Sequence, residues 1–173
     1  ARVTEDSPTP RGFTVLGMTG SANTTVADAE VVYIGRGCTV TGGDTHLTSP
    51  AGKVALIERG FCSFAEKVLQ AEAAGAIGTI VHNDARAVLF GGTLGGPTSV
   101  GPSVTMSQAD GLALRTDIAA GPTVVDVAVA SADYWFISGT SFSGPTVAGV
   151  AALVRSANPG LSADEVRQLI IST

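Results

Sequence analysis

GKVALIERGFCSFAEKVLQAEAAGAIGTIVHND, residues 52–84, decides the fold. KVALIE at 53–58 is an aliphatic run closed off by glycines, the form a buried strand takes. Ser63-Phe64-Ala65-Glu66 follows with the S-x-x-E spacing of a capping box. It predicts a helix running to Gly75, where glycine accepts the left-handed turn that ends a helix. Ile77 to Val81 is a second apolar strand.

The same rhythm extends on both sides. AEVVYI at 29–34 reads as another strand of the same sheet. Downstream, Gly91 to Gly101 has neither a helical nor a strand period and reads as a mobile surface loop. Pro102 to Met106 is a short strand, Ser107 to Asp110 repeats the cap, and Gln108 to Ala120 is a second helix before Gly121. Thr123 to Val129 alternates apolar and polar residues, as a half-exposed strand does. After Ala130 the character changes. Tyr134 to Ile137 is strand-like, and Val147, Val150, Ala151 and Val154 recur at the spacing of a buried helix. Asn158-Pro159-Gly160 ends that helix, and Ser162 to Glu165 caps a last amphipathic one with Val166, Leu169 and Ile170 inward. The expected fold is α+β: a small β-barrel or sandwich with two packed helices over residues 1–130, then a helical fragment over 131–173.

A formal charge of −5, with the ten Lys and Arg residues scattered, argues against nucleic acid as a partner. The most apolar stretch, Val147 to Val154, is interrupted by Gly149 and falls far short of the roughly 20 residues that span a bilayer. Neither a metal nor a cofactor is expected, because no His, Cys or carboxylate residues cluster at ligand spacing in the chain. Cys38 and Cys62 are either a disulfide or two buried thiols; glycine turns at GRGC and RGFC make bridging sterically plausible, and a bridge would place the chain in an oxidising compartment. Asn23-Thr24-Thr25 has the form of a glycan acceptor, a triplet common by chance.

Two stretches resemble known families. Gly139-Thr140-Ser141-Phe142-Ser143-Gly144-Pro145-Thr146-Val147-Ala148-Gly149 resembles the nucleophile motif of subtilisin-like serine proteases, G-T-S-x-x-x-P-x-V-A-G. The resemblance places Ser141 at the nucleophile position, at the start of a helix whose free N–H groups can stabilise an oxyanion. Residues 52–84 resemble a protease-associated (PA) domain, with its RGxCxF turn and A-G-A-x-x-x-I-V-x-N strand. Such domains, inserted in secreted proteases and receptors, resemble substrate-access, autoregulatory or protein-contact modules, which implies a peptide or protein partner and a secreted setting.

A serine hydroxyl needs a base within hydrogen-bond reach, itself oriented by a third group. The subtilisin-like family's aspartate motif, its His-Gly-Thr motif and its oxyanion Asn segment have no counterpart here, and only Ala130 to Ser138 separates Val129 from Gly139. The histidines are His46, near Asp44 in a turn-rich stretch, and His82 in IVHND; neither matches a catalytic position. The expectation is a binding module that retains the nucleophile position and does not cleave peptides unaided. The alternative is a serine endopeptidase completed by missing sequence or a partner chain. The glycine loop, with Gly91, Gly92, Gly95 and Gly96, is the expected contact surface. The apolar C-terminal helix implies self-association or exchange of C-terminal segments between chains.

Overall fold

The computed structural model describes residues 1–39, 46–131, 141 and 143–172. The chain divides into two compact units, Ala1–Asp133 and Tyr134–Thr173. Among the described residues the first holds eight strands: β1 (Arg2–Ser7), β2 (Arg11–Phe13), β3 (Val15–Gly17), β4 (Thr25–Tyr33), β5 (Val54–Glu58), β6 (Gly78–His82), β7 (Ser103–Met106) and β8 (Thr123–Ala128). Helices α1 (Phe64–Ala73) and α2 (Gln108–Ala120) complete it. The second holds α3 (Ser143–Ala157) and α4 (Ala163–Ile171). The mixed α and β character expected from the sequence is what the chain adopts. The strand expected at Tyr134 to Ile137 lies outside the described residues.

The strands form one mixed sheet in the order β2-β1-β8-β4-β5-β6-β7-β3. Its centre, β4 through β7, is parallel, and the outer pairings are antiparallel. Parallel strands are covered on both faces and therefore read as continuous apolar runs, which is why VALIE and GTIVH were legible. Successive side chains of a strand point to opposite faces. Val54 and Leu56 enter one core cluster with Ile80, Met106 and Leu114 of α2. Ala55 and Ile57 enter the other with Val32, Val81 and the α1 residues Val68 and Ala71. The first cluster also takes Val3 from β1, Val15 from β3 and Val125 and Val127 from β8. Since β1 and β3 stand near opposite ends of the strand order and still touch, the sheet curls around this cluster. Gly111 lets α2 close on β6: a Cβ there would fall 2.2 Å from the Cβ of His82.

Each cap serine accepts a backbone N–H, Ser63 from Glu66 and Ser107 from Asp110. The box at Ser63 is only half closed. The Glu66 carboxylate reaches instead to the backbone N–H and hydroxyl of Thr39, at 2.8 and 2.7 Å. In the second unit the Ser162–Glu165 box is complete. The helix expected to be buried there is not: no residue of α3 is buried, and Leu153 is 73% exposed. In α4 Val166 is buried as expected, whereas Leu169 is 46% exposed.

Candidate functional site

The carboxyl ends of parallel strands are where sheets of this kind gather side chains that meet ligands, because the loops there are free of pairing duties. Here Tyr33 ends β4, Glu58 ends β5 and His82 ends β6. Glu58 is the hub. It accepts hydrogen bonds from the Tyr33 hydroxyl at 3.1 Å, from Arg36 Nη2 at 3.2 Å on Oε1, and from Arg115 Nη1 at 3.4 Å on Oε2. The guanidinium of Arg115 lies 3.9 Å from the centre of the Tyr33 ring, and that of Arg36 lies 4.3 Å from the Phe61 ring. Phe61 is 63% exposed and holds a left-handed φ of 69°, an uncommon conformation for an aromatic residue that persists only where its surroundings impose it.

The surroundings that fix Arg36 are covalent and ionic. Cys38 and Cys62 form a disulfide that ties the GRGC turn to the RGFC turn. Lys67, fully buried on α1, donates to the Arg36 carbonyl at 2.6 Å and lies 3.3 Å from Cys38 Sγ. Burial pulls the Lys67 ammonium down to about 8, with the charge of Arg36 acting the same way and Glu58 and Glu66 opposing it. Beside this frame the Arg59 guanidinium lies 4.3 Å from the centre of the Phe90 ring and 5.6 Å from that of Phe64, two rings stacked on each other, and donates to Asn83 Oδ1 at 3.1 Å. The result is a rim of arginines and aromatic rings on a chain of net negative charge.

His82 sits behind the rim, buried, with Nδ1 2.8 Å from the Asn83 carbonyl. That bond places the proton on Nδ1, and burial holds the ring below the usual histidine range, so it is neutral at physiological pH. Its Nε2 has no hydrogen-bond partner among the described residues. A ring sealed inside the sheet in this way is a core histidine. His46 is half-buried, and Asp44, Gly139 and Thr140 lie outside the described residues. Ser141 is exposed and stands two residues ahead of α3. Residues 134–173 contain no histidine.

The glycine loop is less free than its composition suggests. Leu94 is buried in the α1-side cluster and donates its backbone N–H to the Thr19 carbonyl, while Thr19 donates to the Gly92 carbonyl. Gly92 is needed for close approach, since a Cβ there would lie 3.0 Å from Thr105 Cγ2. Gly91, Gly95 and Gly96 stay exposed. One apolar side chain thus converts the predicted mobile loop into a pinned one. A tertiary feature with no counterpart in sequence spacing is the group Asp6, Asp28 and Asp126, whose carboxylate oxygens lie within 4.8 Å of one another where register shifts interrupt the β1–β8 and β4–β8 ladders.

Of the rim residues, Arg36, Phe61 and the cysteines stand in the glycine turns the sequence marks. Glu58 and Tyr33 follow the apolar runs, as polar residues at strand ends do. Arg115 carried no signal, being one exposed-looking position on a predicted helix.

Comparison with known proteins fits this geometry. Residues 27–114, half of the chain, match the PA domain, and residues 92–173 match the subtilase family. Leucine aminopeptidase 2 of Arthroderma otae is 44% identical over 96 residues, covering 55% of this chain and 19% of that protein. An aminopeptidase of Pseudomonas aeruginosa is 39% identical over 77 residues, 42% of this chain and 14% of that one. The chain therefore spans about a fifth or less of the curated relatives it matches. Among solved structures, the aminopeptidase from Aneurinibacillus sp. strain AM-1 aligns with a TM-score of 0.63 and 32% identity over 75% of this chain and 30% of that one. The psychrophilic subtilisin-like protease Apa1 from Pseudoalteromonas sp. AS-11 aligns with a TM-score of 0.56 and 25% identity over 96% of this chain and 41% of that one. The chain belongs to the PA domain family, and its PA domain is joined to a subtilase segment.

Proposed function

We propose that this chain is the substrate-access and protein-contact module of a secreted subtilisin-like serine protease, and that it does not hydrolyse peptides by itself. One observation carries the reading: the organised, charged and aromatic surface belongs to the PA unit, while Ser141 stands exposed in a unit that has no histidine. A serine without a base is a weak nucleophile at neutral pH. The relatives point the same way. The same module resembles parts of proteins called aminopeptidases and part of a subtilisin-like protease, so a role in contacting peptides suits it better than one kind of bond cleavage. The disulfide suits an oxidising, extracellular setting. The rim at Glu58 and the exposed glycines Gly91, Gly95 and Gly96 are the surfaces assigned to contact. The bare apolar face of α3 favours self-association, for which light scattering at micromolar concentration expects a dimer and a strict monomer counts against it.

The second reading is a serine endopeptidase using Ser141, completed by further sequence or a partner chain; the subtilase match through residue 173 is what favours it. Labelling with a fluorophosphonate probe separates the two. The module reading expects no labelling of the chain. Labelling that disappears in Ser141→Ala would establish an activated serine and overturn it.

A further inference from the structure

We propose that Arg36 and Arg115, held on either side of Glu58, form a subsite for a carboxylate of a bound peptide. This rests on reading the rim as a binding surface. Each guanidinium gives one hydrogen bond to a different oxygen of Glu58, so the two planar forks are spaced by a single carboxylate. A guanidinium has five N–H donors in its plane. Stacking on Phe61 and Tyr33 occupies the flat faces and leaves in-plane donors available. Both side chains remain about a third exposed, Arg36 at 31% and Arg115 at 35%, whereas Glu58 is 21% exposed beneath them.

The charges sum to one excess positive charge, two guanidiniums against one carboxylate. That balance suits a monoanion and the planar two-oxygen geometry of a carboxylate, for which arginine forks are matched. It stands out on a chain whose net charge is −5. The site is also built before any ligand arrives. The Cys38–Cys62 bridge and the Lys67 hydrogen bond fix the Arg36 backbone, and the Glu58 pairs fix both side chains, so little ordering remains to oppose binding. Exposed Phe61 offers an apolar wall for the residue beside the carboxylate.

The carboxylate could be a chain terminus or an acidic side chain, and three probes separate these. The full chain is titrated with acetyl-Ala-Phe-Ala as free acid, with the same peptide as its C-terminal amide, and with acetyl-Ala-Phe-Glu-amide, following amide chemical shifts. The expected result is that at least one carboxylate peptide binds about tenfold more tightly than the amide. Arg36→Gln and Arg115→Gln each abolish the preference for that peptide over the amide. Which of the two carboxylate peptides wins identifies the source. Equal affinity for all three peptides, with shifts at the rim, overturns the subsite and leaves the binding module standing. Binding by none of them at millimolar peptide overturns both. Should Arg36→Gln fail to fold, Arg115→Gln decides alone: retained preference for the carboxylate rejects the proposal.

Discussion

The two units of this chain handle the same kind of residue in opposite ways. In Ala1–Asp133, Val, Leu and Ile are locked between a curled sheet and two helices; Leu56, Ile57, Ile80 and Val81 are wholly buried. In Tyr134–Thr173, α3 is as apolar as a core helix and has no buried residue. Hypothetical Cβ atoms at Gly144 and Gly149 meet nothing, so these two glycines of α3 serve no close approach. Apolar sequence is therefore a statement about what an element could pack against. Whether it packs depends on the partners it meets: within its own unit α3 meets only α4, which buries Val166 and leaves α3 itself without a buried residue. That asymmetry places the stability in the PA unit and the unmet surface in the subtilase segment.

Mutations should expose the asymmetry most sharply in the core. Leu56→Ala removes a fully buried side chain from the central strand and should cost about 3 to 5 kcal/mol in urea unfolding of the first unit. Removing the disulfide by Cys38→Ala with Cys62→Ala releases a loop closed across 24 residues and should cost between about 3 and 4 kcal/mol. The loss should fall on the same unfolding transition as that of Leu56→Ala. An unchanged midpoint for either would mean that the core is organised differently.

Lys67 tests the electrostatics of the frame. Its ammonium is lowered in the folded state, to about 8 from an ordinary 10.5. Below about pH 8 both folded and unfolded states carry the proton, and the cost of the buried charge is fully present. As pH rises from about 8 toward 10.5 the folded state loses its proton first, so stability increases across that window. Relative to Lys67→Met, the native chain should gain on the order of 3 kcal/mol between the two ends. Parallel pH profiles for the two proteins would show that the lysine is not held as the geometry indicates. The smallest effect belongs to the other unit: Leu153→Ser should change stability by less than about 0.5 kcal/mol, because the side chain is already exposed, while reducing any self-association seen by light scattering.

Much of the fold was legible because its central elements obey local rules. Helix α2 spans Gln108–Ala120, as the cap at Ser107 and the glycine at 121 indicate, and α1 begins where Ser63 caps it. The first 17 residues were not legible. Strands β2 and β3 have three residues each, too few to display a period. In β1 the inward positions are Val3 and Glu5, and a carboxylate at a core position hides the alternation. Glu5 is tolerated there because Arg11, its partner across β1 and β2, lies 2.8 Å away, while Arg11 also pairs with Asp117 of α2. Burial still pushes the Glu5 carboxyl above its ordinary range.

The sequence alone determined the helices with their caps, the apolar central strands, the two cysteines in glycine turns and the resemblance to a PA domain joined to a subtilase segment. Those signals are local, set by periods of two or of three to four residues. The tertiary structure decided that Cys38 meets Cys62, that Leu94 pins the glycine loop, and that Glu58 gathers arginines 22 and 57 positions away. Such meetings depend on how a parallel sheet stacks its strand ends and on where a helix crosses it, and no spacing along the chain encodes them.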